Sequence, residues 1–341
     1  MKKLLNTLYV TTNGSYLSKE RETVKITVED ETKLRVPIHN LDSIICFGNI
    51  SCSPFLMGFC AKNNVQISFL SEYGKFLARI QGPVSGNVLL RREQYRKADD
   101  LNFSADFART IVIAKISNSR ALILRTAREK PELSSTLKES AKKMLKLLQE
   151  LKEPIKLDSV RGIEGMAAKE YFNIFDHLIV NQKEDFFFHN RSRRPPLDKM
   201  NALISFLYTI LMHDISSALE AVGIDPAVGF LHRDRPGRPG LALDLLEELR
   251  PYIADRLALT LVNRKQIKSK DFTSSESNAV VMNEKGRKLI LTTYQNRKQD
   301  VILHPFLEEK INIGLLPHAQ ALLMARYLRG DIDAYPPFII R

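Results

Sequence analysis

Hydrophobic and polar positions follow two different periods along the chain. Over the first 80 or so residues, apolar positions come in short runs rich in Val and Ile: "KLLNTLYV", "YLSKERETVKITVED", "KLRVPIH", "SIICFG", "VQISFLS" and "FLARIQG". Turn signals such as Asn13-Gly14 and Tyr73-Gly74 separate them, so they predict strands. "SCSPFLMGFCAKNN" interrupts the strands with one short helix, because Phe55, Leu56, Phe59 and Cys60 recur at helical spacing. "QGPVSGN", residues 81–87, carries the glycines, proline and serine of a linker.

Beyond it the period turns helical and stays so. "DFARTIVIAKISNSRALILRTARE" predicts one long helix, and "STLKESAKKMLKLLQELKE" another, with Thr136 and Glu139 spaced as a capping box. "DSVRGIEGMAAKEYFNIF" starts after the cap-type residues Asp158 and Ser159. "DKMNALISFLYTILMHDISSALEAVG" ends on Gly223, a glycine placed to close a helix. "LALDLLEELRPYIADRLALTLVNR" and "PHAQALLMARYLRG" complete the set. The expected fold is therefore α+β. Residues 1–84 form a small β-sandwich-like domain, 85–100 a linker, and 101–341 a larger all-α domain. The exposed parts of the β domain are the expected dimer contact.

Charge narrows the partner. The 341 residues carry a net charge of +12, which favours an anionic partner, nucleic acid before a membrane surface. No apolar run approaches the roughly 20 residues that span a bilayer, and "MKKLLNTLYV" lacks the apolar stretch and cleavage site of a signal peptide. Cys46, Cys52 and Cys60 match no zinc spacing and are expected as reduced core residues of a cytoplasmic protein.

Three segments carry candidate chemistry. In "VRGIEGMAAKEYF", Glu164, Ala168 and Tyr171 share a helix face, and a carboxylate on so small and apolar a stripe is costly to bury alone. His232 precedes a loop with Arg233, Arg235 and Arg238. Asp244, Glu247 and Glu248 follow at helical spacing, above the buried stripe Leu241, Leu245, Leu246 and Leu249. Taken singly, each is as well explained by a surface glutamate, a loop histidine or an acidic first turn. Together, carboxylates and one imidazole suit a divalent ion, Mg²⁺ or, with the imidazole, Mn²⁺. The arginines beside them then read as phosphate contacts, and a phosphodiester becomes the natural substrate. "FFFHNRSRRPPLDKMNALISFLY" adds Arg191, Arg193 and Arg194 ahead of a stiff double proline. Arg91, Arg92, Arg96 and Lys97, with Lys265, Lys268 and Lys270, favour a long polyanion over a small phosphorylated molecule. A non-catalytic basic DNA-binding scaffold is the alternative that charge alone supports. Spacing leaves the choice between Glu247 and Glu248 open.

The motifs "RGIEGMAAKEYF", "RSRRPPLDKMNALISFLYTIL" and "GFLHRDRPGRPGLALDLLEELRP" resemble, in order and over essentially the whole chain, the CRISPR-associated integrase of spacer acquisition, the "Cas one" family. Their style is similar to bacterial type I systems such as I-C. The resemblance implies metal ligands at Glu164, His232 and Glu247, with Asp244 supporting the site and counted with the catalytic residues. Glutamate stands at 247 where the family often has aspartate. Asp198 and Asn201 match its "D-x-x-N-A-L" segment and are expected to be structural; Tyr171 lies near the site without a nucleophilic role. Arg161, Arg193, Arg194, Arg233, Arg235 and Arg238 are expected to contact DNA. The implied reaction is insertion of a spacer into a CRISPR array. The 3′-hydroxyl of a duplex attacks a repeat phosphodiester with Mg²⁺ or Mn²⁺. The implied partners are spacer-precursor and repeat DNA, a second copy of the chain, and the small "Cas two" protein, with no membrane.

Overall fold

The N-terminal runs fold as strands β1 (Thr7–Val10), β2 (Tyr16–Glu20), β3 (Thr23–Val28), β4 (Glu31–Pro37), β5 (Ser43–Phe47) and β6 (Ser51–Cys52), helix α1 (Pro54–Lys62), and strands β7 (Gln66–Leu70) and β8 (Phe76–Ile80). The computed structural model describes residues 6–72, 74, 76–80, 82, 88–233, 235–274 and 279–340. Tyr73 of the expected turn, and all of the expected linker segment 81–87 except Gly82, lie outside the described residues.

In one sheet β5 lies between β1 and β7, parallel to both, and β8 closes the edge antiparallel. A central parallel strand is covered on both faces, which is why "SIICF" is buried throughout. The second sheet runs β4-β3-β2-β6, with β2, β3 and β4 an antiparallel meander. Leu17, Val24 and Ile26 from this sheet join Val10, Ile44, Cys46 and Ile67 from the other, and Leu56 from α1, in one apolar core. That shared core is the sandwich-like arrangement that the alternating strands predict. The cysteines are free thiols, and burial pushes those of Cys46 and Cys60 up to about 12. Ser53 caps α1 by accepting from the Leu56 amide at 3.2 Å, with Pro54 in the first turn.

The helical part contains α2 (Val88–Asp99), α3 (Leu101–Glu129), α4 (Ser134–Glu150), α5 (Leu157–Ile174), α6 (Lys199–Ala221), α7 (Gly240–Arg250) and α8 (Arg256–Asn263). Strands β9 (Phe272–Ser274) and β10 (Val280–Met282), helix α9 (Glu284–Lys298), strands β11 (Val301–Leu303) and β12 (Lys310–Asn312), and helix α10 (Leu316–Arg329) follow. Several expectations change. Residues 88–99, placed in the linker, are helix α2. The 3₁₀ turn Pro131–Leu133 leads straight into α4, so Thr136 sits inside the helix and no capping box forms with Glu139. Helix α5 starts at Leu157, which puts Asp158 and Ser159 in its first turn, where a carboxylate complements the helix dipole. Pro251 has no N–H to continue α7, and the π turn Pro251–Asp255 absorbs the missing bond before α8.

Asp198 caps α6 through the Asn201 amide at 2.6 Å, and Gly223, at φ 86°, takes the left-handed position just beyond its end. With a mean hydropathy of 1.4, α6 is long and apolar enough to cross a membrane by length and composition, contrary to the expectation of no such run. Here it is a core helix. It packs on α7 and α10 and buries Leu203, Ile204, Leu207, Ile210, Leu211 and Ile215.

The chain divides into two units. One comprises Met1–Ser85, Met282–Asp300 and Asn312–Leu315; the other comprises Gly86–Val281, Val301–Ile311 and Leu316–Arg341. The expected division into 1–84 and 101–341 therefore misses a return of the chain. Helix α9 packs with the sheets, donating from Arg287 to the Glu72 carbonyl and from Lys298 to Thr7 Oγ1 at 3.2 Å.

Candidate active site

The candidate site lies wholly in the helical unit. Helix α3 packs against both α5 and α7. From α3, Lys115 rises out of a run whose neighbours Ile111, Val112, Ala114 and Ile116 are fully buried. A lysine there is desolvated and needs counter-charge. It gets two. Its ammonium, 4% exposed, bonds Glu164 Oε1 from α5 and lies 2.8 Å from Glu247 Oε2 on α7. Arg250, one turn beyond Glu247, brings Nη2 to 2.9 Å from the same Oε2 and Nη1 to 3.2 Å from Oε1. Glu247 is buried; desolvation raises its pKa, but Arg250, Lys115 and His232 outweigh it and hold the carboxyl at about 2. Two cations neutralise Oε2, yet neither is aligned with it as a hydrogen bond.

His232 is set by Asp244, which is fully buried. One Asp244 oxygen accepts the Phe230 and Leu231 amides at 2.7 and 3.1 Å; the other accepts the His232 amide at 2.9 Å and meets His232 Nδ1 at 2.8 Å. A carboxylate gripping three amides only accepts, so Nδ1 carries a proton and donates to Asp244, while Nε2 is the ring nitrogen that Asp244 leaves unengaged. The loop closes on two glycines. A Cβ on Gly240 would lie 2.4 Å from the His232 carbonyl oxygen and 2.8 Å from that of Ala227, and one on Gly229 would meet the Gly240 backbone at 2.4 Å. Only glycine permits so close a crossing.

Among the predicted ligands, Glu164 and Glu247 come together around Lys115, with His232 close enough to depress Glu247. Among the described residues, no three His, Cys, Asp or Glu side chains stand at metal-holding distance. The donor set nevertheless fits a divalent cation. It offers two carboxylates that meet at the Lys115 ammonium, a buried oxygen without an aligned hydrogen bond, and an imidazole whose Nε2 is not engaged by Asp244. The Lys115 ammonium supplies the positive charge between the two carboxylates.

Glu248 points elsewhere and so separates from Glu247. It is fully buried and binds Tyr335 Oη at 2.5 Å, the Phe338 amide at 2.9 Å and Gln320 Nε2 at 3.2 Å. Burial pushes it up to about 7 against those bonds. None of Asp244, Glu247 and Glu248 forms the solvated acidic face that each alone would suit. Tyr171 and Tyr208 both donate to buried Asp255, at 2.9 and 2.6 Å. The Tyr208 ring lies under Arg250 at 5.3 Å and under Arg191 at 5.6 Å. Arg191 is thus built into the structure, bonding Asn201 Oδ1 at 2.7 Å and Ser205 Oγ at 3.0 Å, rather than presented to solvent. Asp198 and Asn201 are structural, as expected. Arg193, Arg194 and Arg235 are exposed, Arg233 and Arg238 half-buried, and Asp234 lies outside the described residues. Arg161 turns to the Leu231 carbonyl. Lys115, Arg250, Tyr208 and Asp255 went unpredicted. The visible signal for Lys115 was a single cation in the apolar run "TIVIAKIS".

Fold and site together define an α+β protein whose helical unit holds a carboxylate–imidazole centre bordered by arginines. Residues 8–296 match the family described as CRISPR associated protein Cas1. Over 343 aligned residues, covering all of both chains, the sequence is 55% identical to CRISPR-associated endonuclease Cas1 1 of Chlorobaculum tepidum. The chain belongs to the Cas1 family. Its fold is similar to part of a chain in a Cas6-RT-Cas1–Cas2 complex (TM-score 0.83, 21% identity, 100% of this chain and 36% of that one). It is also similar to a casposase bound to integration product (TM-score 0.82, 22% identity, 96% and 92% covered).

Proposed function

We propose that this Cas1-family endonuclease inserts spacer DNA into a CRISPR array, joining a duplex 3′-hydroxyl to a repeat phosphodiester in a divalent-metal-dependent step. The observation that carries this reading is the meeting of Glu164 and Glu247 at the Lys115 ammonium, beside an imidazole held through Nδ1 by Asp244. Glu164, His232 and Glu247 would hold Mg²⁺ or Mn²⁺, which would supply Lewis-acid polarisation of the phosphate and of the attacking hydroxyl. Asp244 keeps the imidazole in place, and Arg250 keeps Glu247 ionised in a buried site. Arg193, Arg194, Arg233, Arg235 and Arg238 bind flanking phosphates. The new O–P bond forms as the repeat strand's own O–P bond breaks, so no energy source and no covalent enzyme intermediate are needed.

The Cas2 and the integration product that the names of the similar structures print support Cas2 and DNA as partners; we further propose a homodimer as the working unit, in the cytoplasm. The three motifs favour a type I system, I-C among them. The test is joining of a 3′-OH duplex into a repeat-bearing plasmid. Parent protein joins DNA with Mn²⁺ or Mg²⁺ and not in EDTA, and His232→Ala and Glu247→Gln lose the activity. Salt-sensitive DNA binding with no product under any divalent ion would favour a scaffold instead.

A further inference from the structure

Arg161 lies three residues before Glu164, as Asp244 lies three before Glu247. Three residues is close to one helical turn, so each pair shares a helix face. Asp244 grips the His232 loop from α7. Arg161 grips the same loop from α5: Nε and Nη2 donate to the Leu231 carbonyl at 3.1 and 2.9 Å, and Nη1 pairs with Asp158 at 3.0 Å. Both polar atoms of Leu231 are thereby held, its N–H by Asp244 and its C=O by Arg161. His232 is the next residue. The segments bearing Glu164, His232 and Glu247 are thus stitched together through one residue that is none of the three.

We propose that Arg161 is a positioning residue, fixing the His232 loop against the Glu164 helix, rather than a DNA phosphate contact. Three of its nitrogens are already committed, two to a carbonyl that offers no charge. Lysine would keep the charge but cannot reproduce the paired donation. The effect on the active site rests on the metal reading above; the hold on the loop does not.

The experiment compares parent, Arg161→Lys and Arg161→Met, purified as full chains. Three quantities are read: amide exchange of residues 229–232, Mn²⁺ affinity without DNA, and duplex affinity in EDTA. Both variants should exchange the loop amides about tenfold faster or more, since their bonds to Asp244 lose a backing partner. Mn²⁺ affinity should fall about 10- to 100-fold, as for other groups that orient metal ligands. Duplex affinity of Arg161→Lys should stay at the parent value. Unchanged loop exchange with weakened duplex binding would overturn the proposal, and so would faster loop exchange with unchanged Mn²⁺ affinity. If Arg161→Met exchanges faster throughout the molecule, Arg161→Lys decides. Absence of Mn²⁺ binding by the parent would strike the metal reading instead, and the exchange measurement would still settle whether Arg161 holds the loop.

Discussion

Asp244 shows how much one buried carboxylate does for a neighbour. It satisfies three amides and orients the His232 ring. Asn at this position would turn an amide –NH₂ toward at least one donor. Asp244→Asn should therefore lower stability by about 2 kcal/mol and weaken Mn²⁺ binding about 10- to 100-fold, read by denaturant unfolding and by metal titration. Parent-like values in both would remove Asp244 from the site. Glu164 and His232 stood out in the sequence only as members of a set, since each alone suits a surface or loop residue, and the family motif selected Glu247 over Glu248. Lys115 and Arg250 did not stand out, because a cation within a helix is ordinarily surface, and only the packing of α3 on α5 and α7 shows these two to be buried. The divergence of Glu247 and Glu248 is likewise tertiary: adjacent residues on α7 face opposite neighbours, one Lys115 and the other the C-terminal segment around Tyr335.

Helix α7 owes its position to both of its ends. At its start, Gly240 crosses Gly229 backbone to backbone. Gly240→Ala places a Cβ against the His232 carbonyl and must shift the loop. DNA joining should fall at least about tenfold, on the expectation that misplaced catalytic geometry is costly, while amide exchange in α3 and α4 stays as in the parent. Equal joining rates would show that the loop tolerates the displacement. At its other end, Glu248 is anchored in the C-terminal segment with a raised pKa of about 7. A carboxyl raised in the fold contributes stability below its unfolded pKa and loses it as pH climbs through the folded value. Between pH 4.5 and 7.5 the parent should lose about 3 kcal/mol that Glu248→Gln does not lose, measurable as the difference between their urea midpoints at the two pH values. Parallel pH dependences would contradict this. Periodicity placed most of these helices, but their starts depended on local chemistry that spacing misjudged. Thr136 and Glu139 had capping-box spacing, yet the Pro131 turn had already begun the helix three residues earlier.

The division between β and helical parts was readable from the change of period near residue 80. The return of α9 to the sheets was not. "EKGRKLILTTYQNRK" is polar overall, and its buried face is narrow: Ile290, Leu291 and Tyr294 are buried, while Arg287 donates to the Glu72 carbonyl. The net charge of +12 pointed to a polyanion, and the family identifies the protein as a nucleic-acid enzyme. Neither says whether the glutamates meet around a metal. Crystals soaked in Mn²⁺ and measured at the manganese edge answer that most directly. The account predicts an anomalous peak within bonding distance of Glu164, His232 and Glu247, with the Lys115 ammonium displaced from between the two carboxylates. No peak at that position, in crystals of protein that joins DNA in Mn²⁺, would contradict it.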